Sequence, residues 1–301
     1  MKTLELCQIS GNTWYIDGHQ SIPLYMVDST RCILMDTGGQ YDRSKIEAVL
    51  DAHNLTPIGL LCTHTHFDHF GNAKYFSQKY NCPVALPLGE AEICRTPYSV
   101  KSHLFVYTHK QIRTNPLMSE IPCIVDHIIR PEETDTYFRG VRFRVLHTPG
   151  HSMDHCAYIT PDNVCYIGDA LMGGRTLHSS KLPYAFDFET SFATIRGLLD
   201  IQCEAMVMAH SGVVYEGYRE LAQENLDIME DSVEKVLNLV TEPMSSDALC
   251  RAVSDQMGVV VNTPQKAQDL ERFLRPYTEY LVDSGKLRML IRNSSLCYER
   301  T

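Results

Sequence analysis

The run His64-Thr65-His66-Phe67-Asp68-His69 places three imidazoles and a carboxylate within six residues. Neutral imidazole and carboxylate are the ligands that suit borderline divalent ions such as zinc. On an extended segment His64 and His66 project to the same side, because strand side chains alternate with period two. Asp68 and His69 then fall at the turn into the next helix and can face a second ion. Three further junctions carry a ligand type: Thr148-Pro149-Gly150-His151-Ser152, Ile167-Gly168-Asp169-Ala170 and Ala209-His210-Ser211-Gly212. Any one alone reads as a turn or core residue. Together the four segments offer seven nitrogen and oxygen ligands: His64, His66, Asp68, His69, His151, Asp169 and His210. Two ions about 3.5–4 Å apart can share a water and lower its pKa toward neutrality, giving a bridging hydroxide that attacks a carbonyl carbon or phosphorus. The opposite ion then stabilises negative charge developing on oxygen. Asp68 is the candidate catalytic residue, orienting that hydroxide or handling its proton.

Ligands so placed need strands that stop where they begin. Residues 24–27 and 32–35 are short strand-like runs separated by the turn Asp28-Ser29-Thr30-Arg31, and Asp36-Thr37-Gly38-Gly39 punctuates the second. Ser44 fits an N-cap for a helix with Ile46, Val49 and Leu50 on one face. Residues 58–62 read as a buried strand that delivers the histidine run, and residues 71–80 return as a helix. Residues 87–130 look irregular and rich in proline, histidine and tyrosine, either a binding segment or a structural insertion. Strand patterns resume at 141–146, 156–159, 164–167 and 205–208. Strand after strand ends in a potential ligand.

From about Arg219 the pattern turns helical. Ala222, Leu226, Met229, Val233, Val236 and Val240 recur at three- and four-residue intervals. Ser246 is placed to cap a second helix that stops near Gly258. Thr263-Pro264 starts a third, with Leu270, Phe273, Leu274, Tyr277 and Leu281 inward, and Pro276 is expected to kink or split it. Residues 286–298 read as a hairpin turning at Asn293-Ser294-Ser295. Helices followed by a hairpin resemble a winged-helix module. The expected division is a catalytic domain over 1–218 and a helical, winged-helix-like domain over 219–301.

The 301 residues allow one large core plus a smaller appended domain. The formal net charge is -10, and residues 221–301 carry 13 acidic against 9 basic side chains. That balance disfavours nucleic acid as a partner. The N-terminus lacks the apolar core of a secretory signal, and no apolar run is long enough to span a bilayer. Eleven scattered cysteines without a Cys-x-x-Cys pair suit neither a disulfide framework nor a zinc-thiolate site, so a cytoplasmic location is expected.

The ordered set of ligand segments, over roughly residues 1–215, resembles the metallo-β-lactamase-fold hydrolase superfamily in its glyoxalase II-like branch. The resemblance implies an α/β fold, a four-layer αββα sandwich with the metal site at one edge of its two sheets. It implies His64, His66 and His151 at a first metal, Asp68, His69 and His210 at a second, Asp169 bridging them, and Asp36 in support. The cofactors implied are two divalent ions, zinc first, with iron or manganese as alternatives. Aspartate rather than cysteine at position 169 argues against a secreted β-lactamase. His66 stands where the flavodiiron branch has glutamate, which argues against a di-iron reductase.

The leading expectation is hydrolysis of a small thioester, ester or lactone. Three alternatives stay open: a nuclease or phosphodiesterase, an iron persulfide dioxygenase holding one metal through His64, His151 and Asp169, and a non-catalytic metal-binding module that forms a homodimer through residues 219–301. Tyr184 is the first candidate for substrate contact, with Arg175 and Lys181 behind it. His103, His109 and His127 are weaker candidates, and His147, His155 and His178 lie outside the ligand pattern. The glutathione-binding residues of glyoxalase II find no match.

Overall fold

The computed structural model describes residues 4–104 and 108–301, and every side chain among them except those of 102–104, 109, 111 and 117. Seven strands lie side by side in chain order: β1 (Glu5–Ser10), β2 (Thr13–Asp17), β3 (Ile22–Met26), β4 (Arg31–Met35), β5 (Thr56–Leu61), β6 (Val84–Pro87) and β7 (His127–Ile129). The first four are antiparallel and β4 to β7 are parallel. Parallel neighbours require crossovers. These are α1 (Arg43–Ala52), α2 (Ala73–Tyr80), and the group α3 (Leu88–Ile93), α4 (Pro97–Leu104), α5 (His109–Thr114) and α6 (Pro116–Ser119).

A second sheet holds β8 (Asp135–Phe138), β9 (Val141–His147), β10 (Cys156–Ile159), β11 (Val164–Gly168), β12 (Ala205–Met208) and β13 (Gly212–Val214), in the order β13-β12-β11-β10-β9-β8. Here α7 (Gly174–Ser179) and α8 (Phe188–Leu198) link the parallel pair β11 and β12. The chain closes with α9 (Tyr218–Leu239), β14 (Met244–Ser245), α10 (Ser246–Met257), α11 (Pro264–Asp283), β15 (Leu287–Arg292) and β16 (Ser295–Arg300), the three strands pairing as β14-β16-β15.

Period-two alternation assigns each central strand to two cores at once. In β4, Cys32 and Leu34 pack with α1 and α2, while Ile33 and Met35 face the other sheet. In β11, Val164 and Tyr166 meet them from the second sheet, while Cys165 and Ile167 pack with α8 and α9. Three cores between four layers give the expected αββα sandwich. The outermost core runs without a break from Ala157 and Met206 through Phe188 and Phe192 to Leu249, Leu274 and Tyr277.

Four local expectations are corrected. Residues 87–130 are not irregular: they form α3 to α6 and β7, helices of four to eight residues that are too short to display a period. Val100, Ile112, Met118 and Ile121 from this segment are buried in the core under the first sheet. Ser44 lies inside α1, whose N-cap is Asp42, because a 3-10 turn over Gln40–Asp42 runs straight into the helix. Ser245, not Ser246, caps α10, its hydroxyl accepting from Ala248 N at 3.2 Å. Pro276 does not split α11, which is one element of 20 residues.

The hairpin turns on Asn293 and Ser294, both with positive φ, so Ser295 already belongs to β16. The eleven cysteines are unpaired, and seven of them are buried. No helix of the described residues is long and apolar enough to cross a membrane.

Candidate metal centre

Each ligand-type residue sits just beyond the C-terminal end of a strand. His64 follows β5, His151 follows β9, Asp169 follows β11 directly and His210 follows β12. Two glycines let the chain turn there. Gly168 has φ +56 and lies so close to His155 that a Cβ would sit 2.5 Å from its Nε2. Gly150, with φ +122, is equally tight against the backbone of Ser191. Both conformations are open to glycine at little cost.

The turns bring all seven side chains together. Ligand atoms of His64, His66 and His151 lie within 4.8 Å of one another, and so do those of Asp68, His69 and His210. Asp169 joins the two groups. Its Oδ2 is 3.2 Å from His69 Nε2 and 3.3 Å from His151 Nε2, and its Oδ1 is 3.4 Å from His210 Nε2. Asp68 Oδ2 is 3.5 Å from His210 Nε2.

The donor chemistry fits cations. Nε2 of His64, His66 and His69 and Oδ1 of Asp169 are buried without a hydrogen-bond partner among the described residues. Orphaned polar atoms of this kind are costly unless something binds them. Burial and the neighbouring imidazoles push His64 and His66 well below the ordinary histidine range, and burial lowers His151 too. Among these three, His151 Nε2 meets His66 Nδ1 at 3.0 Å, while Nε2 of His64 and of His66 has no partner among the described residues. Burial opposes charge on His69 and His210, but Asp169 outweighs it and raises both. Burial likewise opposes charge on Asp169, and His69, His210 and His151 outweigh it, holding the carboxyl well below its usual range.

A surrounding shell fixes these groups. Asp36, held at φ +64, accepts from Thr63 N (2.7 Å), Thr63 Oγ1 (2.9 Å), Tyr166 OH (2.6 Å) and His69 Nδ1 (2.7 Å). That last bond directs His69 Nε2 toward Asp169, the support expected of Asp36. His155 is no ligand, but its Nε2 accepts from Asp169 N at 3.2 Å while Nδ1 faces Thr148 Oγ1. Glu90, fully buried on α3, accepts from Thr65 N and Oγ1 on one oxygen and from Ser152 Oγ and Asp154 N on the other. It ties the His64–His69 run to the loop that carries His151. Nothing in its local sequence signals this, because both partners are remote in the chain.

A cleft of about 240 Å³ opens over the cluster, lined by His66, Asp68, His151, Asp169 and His210, by apolar residues of the 87–130 segment, and by Tyr184, Arg272 and Phe273. Tyr184 lines this cleft, its ring 5.5 Å from that of His151 and 5.9 Å from that of His66. Arg272 on α11 was missed. Arg175 and Lys181 line neighbouring grooves instead. His127 is also corrected: it hydrogen-bonds Thr136 Oγ1 between the sheets' edge strands, because it belongs to β7. The side chains of His103 and His109 lie outside the described residues. His147 is bound to Glu133 O and His178 to Glu224, away from the cluster.

Known proteins resemble this chain in sequence and in fold. Over 269 residues the chain is 24% identical to an atrochrysone carboxyl ACP thioesterase of Passalora fulva, covering 86% of this chain and 70% of that one. It is 27% identical over 147 residues to a hydroxyacylglutathione hydrolase of Thiobacillus denitrificans, covering 48% of this chain and 44% of the relative. In structure it is similar to a beta-lactamase domain protein from Burkholderia ambifaria (TM-score 0.73, 16% identity, 99% of this chain and 94% of that one). A metallo-beta-lactamase family protein from Thermus thermophilus matches at TM-score 0.69 and 19% identity over 99% of both chains. Residues 17–210 match the family model of the metallo-beta-lactamase superfamily, and the chain belongs to that superfamily.

Proposed function

We propose that this chain is a dinuclear metal-dependent hydrolase of a small thioester, ester or lactone. The observation that carries the reading is Asp169, whose carboxylate lies within 3.4 Å of His151 from one ligand group and of both His69 and His210 from the other. His64, His66 and His151 would hold one ion, Asp68, His69 and His210 the other, and Asp169 would touch both. When bound, such a pair supplies Lewis acidity and a water acidic enough to ionise near neutral pH. The chain's own groups do the rest. Asp68, with a quarter of its side chain exposed to the cleft, is placed to take a proton and pass it to solvent. Tyr184 walls the cleft beside His66 and His151, where a substrate would lie against its ring.

Two kinds of relative, a carboxyl ACP thioesterase and hydroxyacylglutathione hydrolases, make the thioester the first choice among the three bonds. Catalysis is assigned to residues 1–218, which carry all seven ligands, and zinc is the ion we expect. The unpaired cysteines favour a cytoplasmic setting.

Elemental analysis of protein purified without added metal should give two equivalents per chain, with turnover on a thioester panel. Asp68→Ala should drop the metal content toward one and lower kcat by about a hundredfold or more. One equivalent of iron with no change in Asp68→Ala would replace this reading by the mononuclear one.

A further inference from the structure

The cleft has two unlike walls. Ile93, Val100, Met118 and Ile121, contributed by α3, α4, α6 and the turn after it, form an uncharged wall, each side chain 7% exposed or less. Tyr184, Arg272 and Phe273 form the other. The Arg272 guanidinium lies 5.3 Å from the Tyr184 ring centre, and its Nη2 donates to Tyr184 OH at 3.2 Å. Arg275, one turn further along α11, pairs with Glu279 at 2.8 Å, whereas Arg272 has no carboxylate partner among the described residues. A half-buried guanidinium that stacks instead of pairing keeps most of its five N–H donors for a ligand. It stands at an opening of the metal cluster, with an apolar wall facing it.

We propose that this cleft selects a two-ended substrate: an apolar acyl group of several carbons against Ile93, Val100, Met118 and Ile121, and a leaving group whose carboxylate or phosphate is held by Arg272 stacked on Tyr184. The inference rests on the hydrolase reading and names its substrate class. In the reaction water adds across the acyl carbon–sulfur bond, releasing the carboxylic acid and an anionic thiol. The four apolar residues come from the short-helix segment, so that segment sets acyl specificity. Arg272 comes from α11, so the C-terminal region completes the substrate site without supplying a metal ligand.

Non-hydrolysable thioethers test this on the holoenzyme apart from turnover. The probes are the S-hexyl thioethers of 3-mercaptopropionate, of 2-mercaptoethyl phosphate and of neutral 3-mercaptopropionamide, with S-methyl counterparts, measured by titration calorimetry. At least one anionic hexyl probe should bind about tenfold tighter than the neutral one, and the better of the two identifies the anion. Each hexyl probe should bind at least about tenfold tighter than its methyl counterpart. Arg272→Ala should erase the anion preference while the hexyl preference stays, and Arg272→Lys should restore part of it. An anion preference that survives in Arg272→Ala would place the anion on the metals and overturn the inference, as would equal binding of charged and neutral probes. Loss of the hydrolase reading shows separately, as absent turnover of the matching thioesters by an enzyme that still binds the probes selectively.

Discussion

At Glu90 four donors, two of them backbone N–H groups, converge on a single buried carboxylate. Burial pushes its pKa up against the pull of those donors. An amide cannot replace it. The Thr65 and Ser152 hydroxyls can rotate to accept, but the N–H groups of Thr65 and Asp154 cannot, so one of them must face the glutamine NH2. Glu90→Gln should therefore cost about 2–3 kcal/mol, the penalty for a buried donor left unsatisfied. Thermal melting would show a midpoint lower by several degrees, and metal content should fall because the two loops Glu90 joins carry His64, His66, Asp68, His69 and His151. A variant equal to wild type in both would remove this bridging role. The contrast with the ligands explains what was legible. His64 to His69 announce themselves by type and spacing within six residues. Glu90 acquires its role only when residues 25 and 62 positions away fold onto it, and Arg272 meets Tyr184 across 88 positions.

Among elements, the strands were legible because alternation serves two cores, as in Cys32-Ile33-Leu34-Met35. The short helices α3 to α6 were not, since six residues span less than two turns and no stripe has room to appear. Nor does a sequence pattern tell which site a helix serves. Tyr277 reads as an inward residue of α11, yet its hydroxyl donates to Pro183 O at 2.6 Å, next to Tyr184, and meets Ser232 of α9 at 3.1 Å. Asn225 of α9 similarly brackets Met172, accepting from its N–H and donating to its carbonyl. These bonds make two C-terminal helices the supports of the cleft wall. Tyr277→Phe removes only the hydroxyl and leaves Pro183 O unpaired, a loss of about 1–3 kcal/mol. We expect it to raise KM severalfold with metal content intact, because it loosens the Tyr184 wall and touches no ligand. A fall in metal content instead of a rise in KM would count against that division of labour.

At the scale of the whole molecule, the sequence suggests a boundary near residue 218, and the packing shows what crosses it. Gly217, with φ +79, turns the chain into α9, and beyond it every helix shares a core with the second sheet. Ala222, Leu226, Met229 and Val233 of α9 belong to the same buried cluster as Met206, Met208, Phe188 and Ile195, and Leu274, Tyr277 and Leu281 of α11 extend it. Removing residues 218–301 would therefore expose the outer face of the second sheet and α8. Burial is worth about 25 cal/mol per Å² of apolar surface, and a fully buried leucine or phenylalanine about 1.5–3 kcal/mol. Loss of cover over only five such side chains would match the whole stability of a typical domain, about 5–15 kcal/mol. We expect the intact chain to unfold in one transition, with fluorescence and far-ultraviolet circular dichroism coincident, because the core that melts is continuous. The chain ending at Gly217 should aggregate or melt far below the intact protein, even though it keeps all seven ligand residues. Two resolved transitions in the intact chain, with the first leaving metal bound, would mean that the helices stand on their own and that the shared core contributes little.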